Sequence, residues 1–95
     1  MTLSLEQKTA KYRLLTQAGL EQIQFATNLS LEQKKIAADF LQMAQNYYND
    51  AKHFEETGDH ATALAAYSYA HAWLDAGVRA GVFDARGNDR LFTVK

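Results

Sequence analysis

Four residues between positions 68 and 79 carry the side chains most suited to chemistry. Ser68, His71, Asp75 and Arg79 are spaced by 3, 4 and 4, which stacks them on one face of any helix through that stretch. His71 beside Asp75 is the arrangement of an oriented general base, and Ser68 lies within one turn of His71. A hydrolytic triad also requires an exposed nucleophile, an oxyanion site and a strained turn. A continuous helix supplies none of these. The bland alternative is a ladder of i,i+4 hydrogen bonds and ion pairs on a solvated or interfacial stripe, and it is the preferred reading. A ligand or partner contact comes second and catalysis last.

Metal binding is the next candidate. His53, His60 and His71, with Asp50, Glu55, Glu56 and Asp59, offer many donor atoms. No His-Glu-x-x-His or Glu-x-x-His spacing occurs among them, so a polar surface cluster near Gly58 is the better account. We expect no metal and no cofactor. The aromatic pairs Tyr47/Tyr48 and Tyr69/Trp73 can stack a ring or a base, but helical spacing makes them core or interface residues first. No phosphate loop or nucleotide fingerprint is present.

The elements that position these residues follow from capping signals. Ser4-Leu5-Glu6-Gln7 fits a capping box, and the same letters, LSLEQK, recur from Leu29 to Lys34. The repeat goes no further, so we read two helices using the same capping chemistry. The first spans about 4–27, with Leu5, Tyr12, Leu15, Gly19, Ile23 and Ala26 on the core face and Arg13 opposite. Gly19 inside it costs about 1 kcal/mol relative to alanine unless a neighbouring backbone needs the space. The second spans about 31–57. Its core stripe is Ile36, Phe40, Met43, Tyr47, Ala51 and Phe54.

Gly58-Asp59 is the clearest chain reversal, a glycine helix stop followed by a carboxylate N-cap. It sets helices two and three antiparallel. The third helix spans about 60–80 and carries a half-circle of apolar or small residues, including Ala63, Ala66, Ala70 and Gly77. That is more surface than one neighbour can cover, so this helix is expected to be central. Val82 and Phe83 fold back over its end. The tail 82–95 is expected to be non-helical, ending in the strand-like Leu91–Val94. The hairpin from Ala51 to Tyr67 also looks like one tetratricopeptide unit, although a single unit of such an array buries no core.

Composition bounds the rest. The chain has 95 residues, a net charge of −1, no cysteine and no proline. It is one small domain, residues 1–95, which at this size buries roughly 60–65% of its unfolded surface. The mixed charge lacks the basic footprint of a nucleic-acid partner. The run from Ala61 to Leu74, uncharged with His71 neutral, is fourteen residues and too short to cross a bilayer. Without disulfides or a signal-like start, a soluble cytoplasmic protein is expected.

The run Tyr47-Tyr48-x-Asp50-Ala51-x-His53-Phe54, then Gly58-Asp59, then Tyr69-Ala70-His71-x-Trp73-Leu74-Asp75-Ala76-Gly77 and Gly81-x-Phe83, resembles a family of short archaeal proteins catalogued as domain of unknown function 357. Ala72 and His60 depart from its pattern, which usually has glycine and an aromatic there. The resemblance implies a closed up-and-down three-helix bundle. It implies no activity and no catalytic residues.

The combined expectation is an all-α, up-and-down antiparallel three-helix bundle with a short non-helical tail. The first functional reading is a non-enzymatic protein-interaction module, self-associating or binding a protein partner through Tyr69, Trp73, Phe83 and Phe92. The alternative is a small-ligand or enzymatic cleft between helices two and three. It would use His71 and Asp75 with Tyr47, Tyr48, Asp50, Ser68 and Arg79.

Overall fold

The computed structural model describes residues 2–88 and 90–92. Three helices account for most of them: α1 (Leu5–Gln22), α2 (Leu31–Glu56) and α3 (His60–Arg79). Two-residue strands β1 (Gln24–Phe25) and β2 (Phe83–Asp84) pair antiparallel, Gln24 opposite Asp84 and Phe25 opposite Phe83. The fold is the expected all-α bundle. α3 is central, with α2 along one side and α1 along the other, while α1 meets α2 at few positions. Among the described residues no helix is long and apolar enough to cross a membrane.

The helix ends follow the capping chemistry. Ser4 and Ser30 accept from the backbone of Gln7 and Gln33, whose side chains accept in return from the serine N–H groups. Asp59 Oδ1 accepts from Thr62 N at 3.2 Å. At the far ends, Gly58 and Gly81 take φ of +88° and +79°. Each starts a Schellman turn: Asp59 N–H donates to Phe54 O at 2.9 Å, and Val82 N–H to Gly77 O at 3.0 Å.

α1 stops five residues before the expected end at 27. Ile23 turns extended (φ −65°, ψ 140°), and the next residues join β2. Ala26 N–H then donates to Val82 O at 2.9 Å. Periodicity at Ile23 and Ala26 suits a helix, but a ladder to a distant segment satisfies the same backbone groups and wins. Of the strand-like run expected at Leu91–Val94, Leu91 and Phe92 lie in a turn; Thr93 and Val94 fall outside the described residues.

The core is built on smaller residues than expected. α2 buries Ala37, Ala44 and Ala51 completely, at heptad spacing. Phe40, Met43, Tyr47 and Phe54 form half-buried shoulders, and Ile36 is 43% exposed. Facing them, α3 buries Ala63, Tyr67, Ala70 and Leu74. Alanine meeting alanine lets the two helices approach closely, so the large side chains are pushed to the flanks of the seam.

α1 is rotated further from its expected phase. Its buried positions are Thr9, Thr16 and Gly19, while Leu5, Tyr12 and Leu14 are exposed. The buried hydroxyls explain this preference. Thr9 Oγ1 donates within reach of Leu5 O (2.7 Å) and His60 O (3.2 Å), and Thr16 Oγ1 reaches Tyr67 O at 3.3 Å. Two small hydrogen-bonding residues thus seat α1 directly on the α3 backbone. A Cβ on Gly19 would lie 3.0 Å from Leu74 Cδ1 and 3.3 Å from Phe92 Cε1. The space at Gly19 therefore serves side chains, not the neighbouring backbone.

Candidate functional site

Three side-chain assemblies stand out, and they sort the candidate residues differently from the sequence. The first is a polar network across all three helices. Arg13 Nη1 on α1 donates to Glu55 Oε2 on α2, and Tyr67 Oη on α3 donates to Glu55 Oε1 at 2.8 Å. Tyr48 leans on the Tyr67 ring at 5.6 Å, and its hydroxyl donates to Gln17 Oε1 at 3.4 Å. Burial opposes the Glu55 charge, but hydrogen bonds from Tyr67 and Arg13 outweigh it and leave the carboxyl below its ordinary range. Burial pushes the Tyr67 phenol well above its ordinary value, and the Glu55 bond adds to this. The network links α1 to α2, which otherwise touch little.

Periodicity places Arg13 on the outward side of α1, whereas the structure turns it toward Glu55. One signal in the sequence marks the change of face: Thr9, Arg13, Thr16 and Leu20 recur at 4, 3 and 4. That is a helical stripe of mixed polarity, hidden by the larger apolar residues beside it.

The second assembly holds the tail. His71 Nε2 donates to the Leu91 carbonyl, which can only accept, and Thr16 Oγ1 lies 3.4 Å from Nδ1. The imidazole stacks on Phe92, with ring centres 6.1 Å apart and planes 24° apart. His71 is thereby a clamp between α1, α3 and the tail. Its neighbours in the proposed stripe diverge: Ser68 and Arg79 are exposed, and Asp75 is half-buried. His71 and Asp75 line none of the five principal surface grooves among the described residues.

The expected cleft between α2 and α3 is therefore not formed around His71. Tyr47 packs on Tyr69, and Tyr48 on Tyr67, while His71 faces α1. The three histidines also separate. His53 sits beside the Phe54 ring, His60 Nε2 lies 4.0 Å from Glu6 Oε1, and His71 lies under the tail.

The third assembly is a row of four rings on one face of the α2/α3 hairpin. Phe40 meets Trp73 edge-to-face at 5.1 Å, Trp73 meets Tyr69 at 6.4 Å, and Tyr69 meets Tyr47 at 4.5 Å. Tyr69 is 51% exposed. Shallow apolar grooves flank it: one lined by Tyr69, Ala72, Trp73 and Ala76, the other by Tyr47, Asp50, Phe54, Thr62, Ala65 and Ala66. Of the expected interface residues, Tyr69 and Trp73 lie here. Phe83 and Phe92 do not, being 3% and 4% exposed. Phe83 is taken up by the Gly77 notch and by Phe25, at 5.9 Å, and Phe92 by the clamp.

With the geometry established, comparison with known proteins decides the family. The model of the family described as "Protein of unknown function (DUF357)" matches residues 11–83. The chain belongs to this family. No curated protein and no solved structure matches it. The DUF357 match begins within α1 and ends at Phe83 in β2, so it takes in the polar network and the four-ring row. Leu91 and Phe92, the residues that His71 holds, lie beyond the matched DUF357 region.

Proposed function

We propose that the chain is a non-enzymatic module that pairs with a second copy of itself through the α2/α3 face carrying Tyr47, Tyr69, Trp73 and Phe40. The observation that carries this reading is the half-exposed ring row, set among the exposed alanines Ala65, Ala72 and Ala76. No charged residue of α3 falls between His60 and Asp75, so two copies of the face meet without like-charge repulsion along that helix. A helix the length of α3 runs about 30 Å, and α2 and α3 side by side, each about 10 Å across, offer a face of roughly 600 Å² per partner. Relief from side chains brings this near the roughly 800 Å² per partner of an ordinary stable interface. Small residues beside aromatic knobs suit a two-fold contact, in which each ring enters the partner's alanine groove. The lack of cysteine suits a cytoplasmic setting for such a module.

Light scattering across a concentration series tests the proposal. The wild-type chain is expected to be a dimer, and Ala72→Arg a monomer with an unchanged circular dichroism spectrum, because Ala72 is exposed. Tyr69→Asp should act in the same way. A wild-type chain that stays monomeric at high concentration would sink the proposal, as would a dimer indifferent to both substitutions.

A further inference from the structure

α1 carries a second apolar stripe that its packing leaves outside. At about 100° per residue, Ala10, Leu14 and Ala18 fall roughly opposite the buried Thr9 and Thr16. Leu14 is 59% exposed. With Leu3 and Leu15 these residues floor an open trough, and the tail supplies its other wall through Leu91. Among the described residues its polar lining is Gln7 and two cations, Lys11 on α1 and Arg90 on the tail. Among the described residues the ion pairs are Arg13–Glu55 and Glu6–His60, and neither cation is paired with another described residue.

We propose that this trough docks an amphipathic helix of a protein partner, with its apolar stripe on Leu14 and acidic residues along one flank facing Lys11 and Arg90. The shape selects the occupant. The trough is open along its length and covers one side of whatever lies in it. An alkyl chain or small ligand would stay half wet, whereas a ligand pocket normally buries most of its ligand. An amphipathic helix needs only its apolar side covered, and it recognises a groove through i, i+3/i+4, i+7 anchors. The charge selects the sign. Two cations at the rim of an apolar trough favour an acidic flank and reject a basic one. Ala18, which lines the trough with Arg90, lies seven residues beyond Lys11, about 10 Å along the axis. The matching acids are therefore about two turns apart on the partner.

Fluorescence anisotropy with labelled synthetic helical peptides tests this on the full chain. One 18-residue peptide carries a leucine stripe with glutamates seven residues apart on one flank, and the other replaces those glutamates with lysines. The glutamate peptide is expected to bind about tenfold or more tightly than the lysine peptide, and the preference should shrink with salt. Leu14→Asp should abolish binding without altering the circular dichroism spectrum. Lys11→Glu with Arg90→Glu should invert the preference, and this inversion is a readout that misfolding cannot produce. Equal binding of the two peptides, no binding at millimolar peptide, or indifference to Leu14→Asp would overturn the proposal. Laurate or phosphatidylglycerol vesicles held through Leu14 in place of the peptide would also overturn it. So would a change in the chain's own mass on Leu14→Asp, since the occupant would then be a second copy.

Discussion

Gly77→Ala is expected to lower the stability of the fold by about 3 kcal/mol, although alanine is the better helix former. In an exposed helix this exchange gains about 1 kcal/mol. Here an added Cβ would stand 2.1 Å from Phe83 Cδ2, 2.4 Å from Cε2 and 2.8 Å from Cγ. Cδ2 and Cε2 lie along one edge of the ring, and Cγ, which sits on the rotation axis, stays at 2.8 Å however the ring turns, so the whole ring must move. Phe83 is 3% exposed, stacks on Phe25 and belongs to β2. Expelling a buried phenylalanine costs about 3–5 kcal/mol, which overrides the helical gain. Guanidinium unfolding should show a lower midpoint with an unchanged slope. The mechanism predicts a change of sign: in a Phe83→Ala background, Gly77→Ala should become neutral or stabilising. If it destabilises equally in both backgrounds, the ring is not the cause.

Glu55→Ala should cost about 2–3 kcal/mol, more than removing either of its partners. Tyr67 is fully buried, so losing its acceptor strands a hydroxyl that water does not reach. Tyr67→Phe removes donor and hydroxyl together and should cost about 1.5 kcal/mol. Arg13→Ala should cost about 1 kcal/mol or less, because a side chain 32% exposed rehydrates and its ion pair is screened. The order Glu55→Ala, Tyr67→Phe, Arg13→Ala is the measurable content, and thermal melts of the three variants establish it. An Arg13→Ala variant as unstable as Glu55→Ala would show that the ion pair, not the buried phenol, dominates.

The same network sets a pH dependence. The Glu55 carboxyl lies lower in the folded chain than its ordinary value near 4.5. Its contribution is therefore present above that value and is lost as pH falls through the folded pKa. Tyr67 is shifted upward, so its contribution is complete below its ordinary value near 10.0 and drains away at higher pH. There the unfolded chain releases the phenol proton and the folded chain keeps it. Stability measured against pH should flatten at the acid end in Glu55→Gln and at the alkaline end in Tyr67→Phe.

Features set by local chemistry were legible in the sequence. Both capping boxes, the Gly58-Asp59 reversal and the return of Phe83 over the end of α3 depend on residues within a few positions of each other, and the central position of α3 on the apolar half-circle of that one helix. Helix phase was harder to read. Weighting by size drew the core of α2 through Ile36 and Phe40, when the seam is Ala37, Ala44 and Ala51. In α1 the expected face held at Gly19 and Ile23 but not at Leu5 and Tyr12, which are exposed, because the seam also uses Thr9 and Thr16, whose value lies in what they bond to across the helix interface. The surroundings of the candidate stripe were hard to read for a related reason. His71 and Asp75 look like a base and its orienter within one helix, and only the tail, twenty residues on, shows that His71 Nε2 is already occupied by Leu91.

The pairing of β1 with β2 has a consequence for how the chain reaches this structure. Gln24 and Asp84 are about sixty residues apart, yet the ladder that joins them is two residues long. Closing a loop of that length costs roughly 3–4 kcal/mol of chain entropy beyond a constant, which so short a ladder cannot repay on its own. The α2/α3 hairpin closes over the short turn at Gly58-Asp59 and needs no such prior ordering. Folding is therefore expected to begin at the hairpin, with α1 and the strand pair joining last, which φ-values near zero in α1 would check. On this order the segment that carries Thr16, Gly19 and half of the tail clamp arrives last, and its amides are expected to exchange first when the molecule opens.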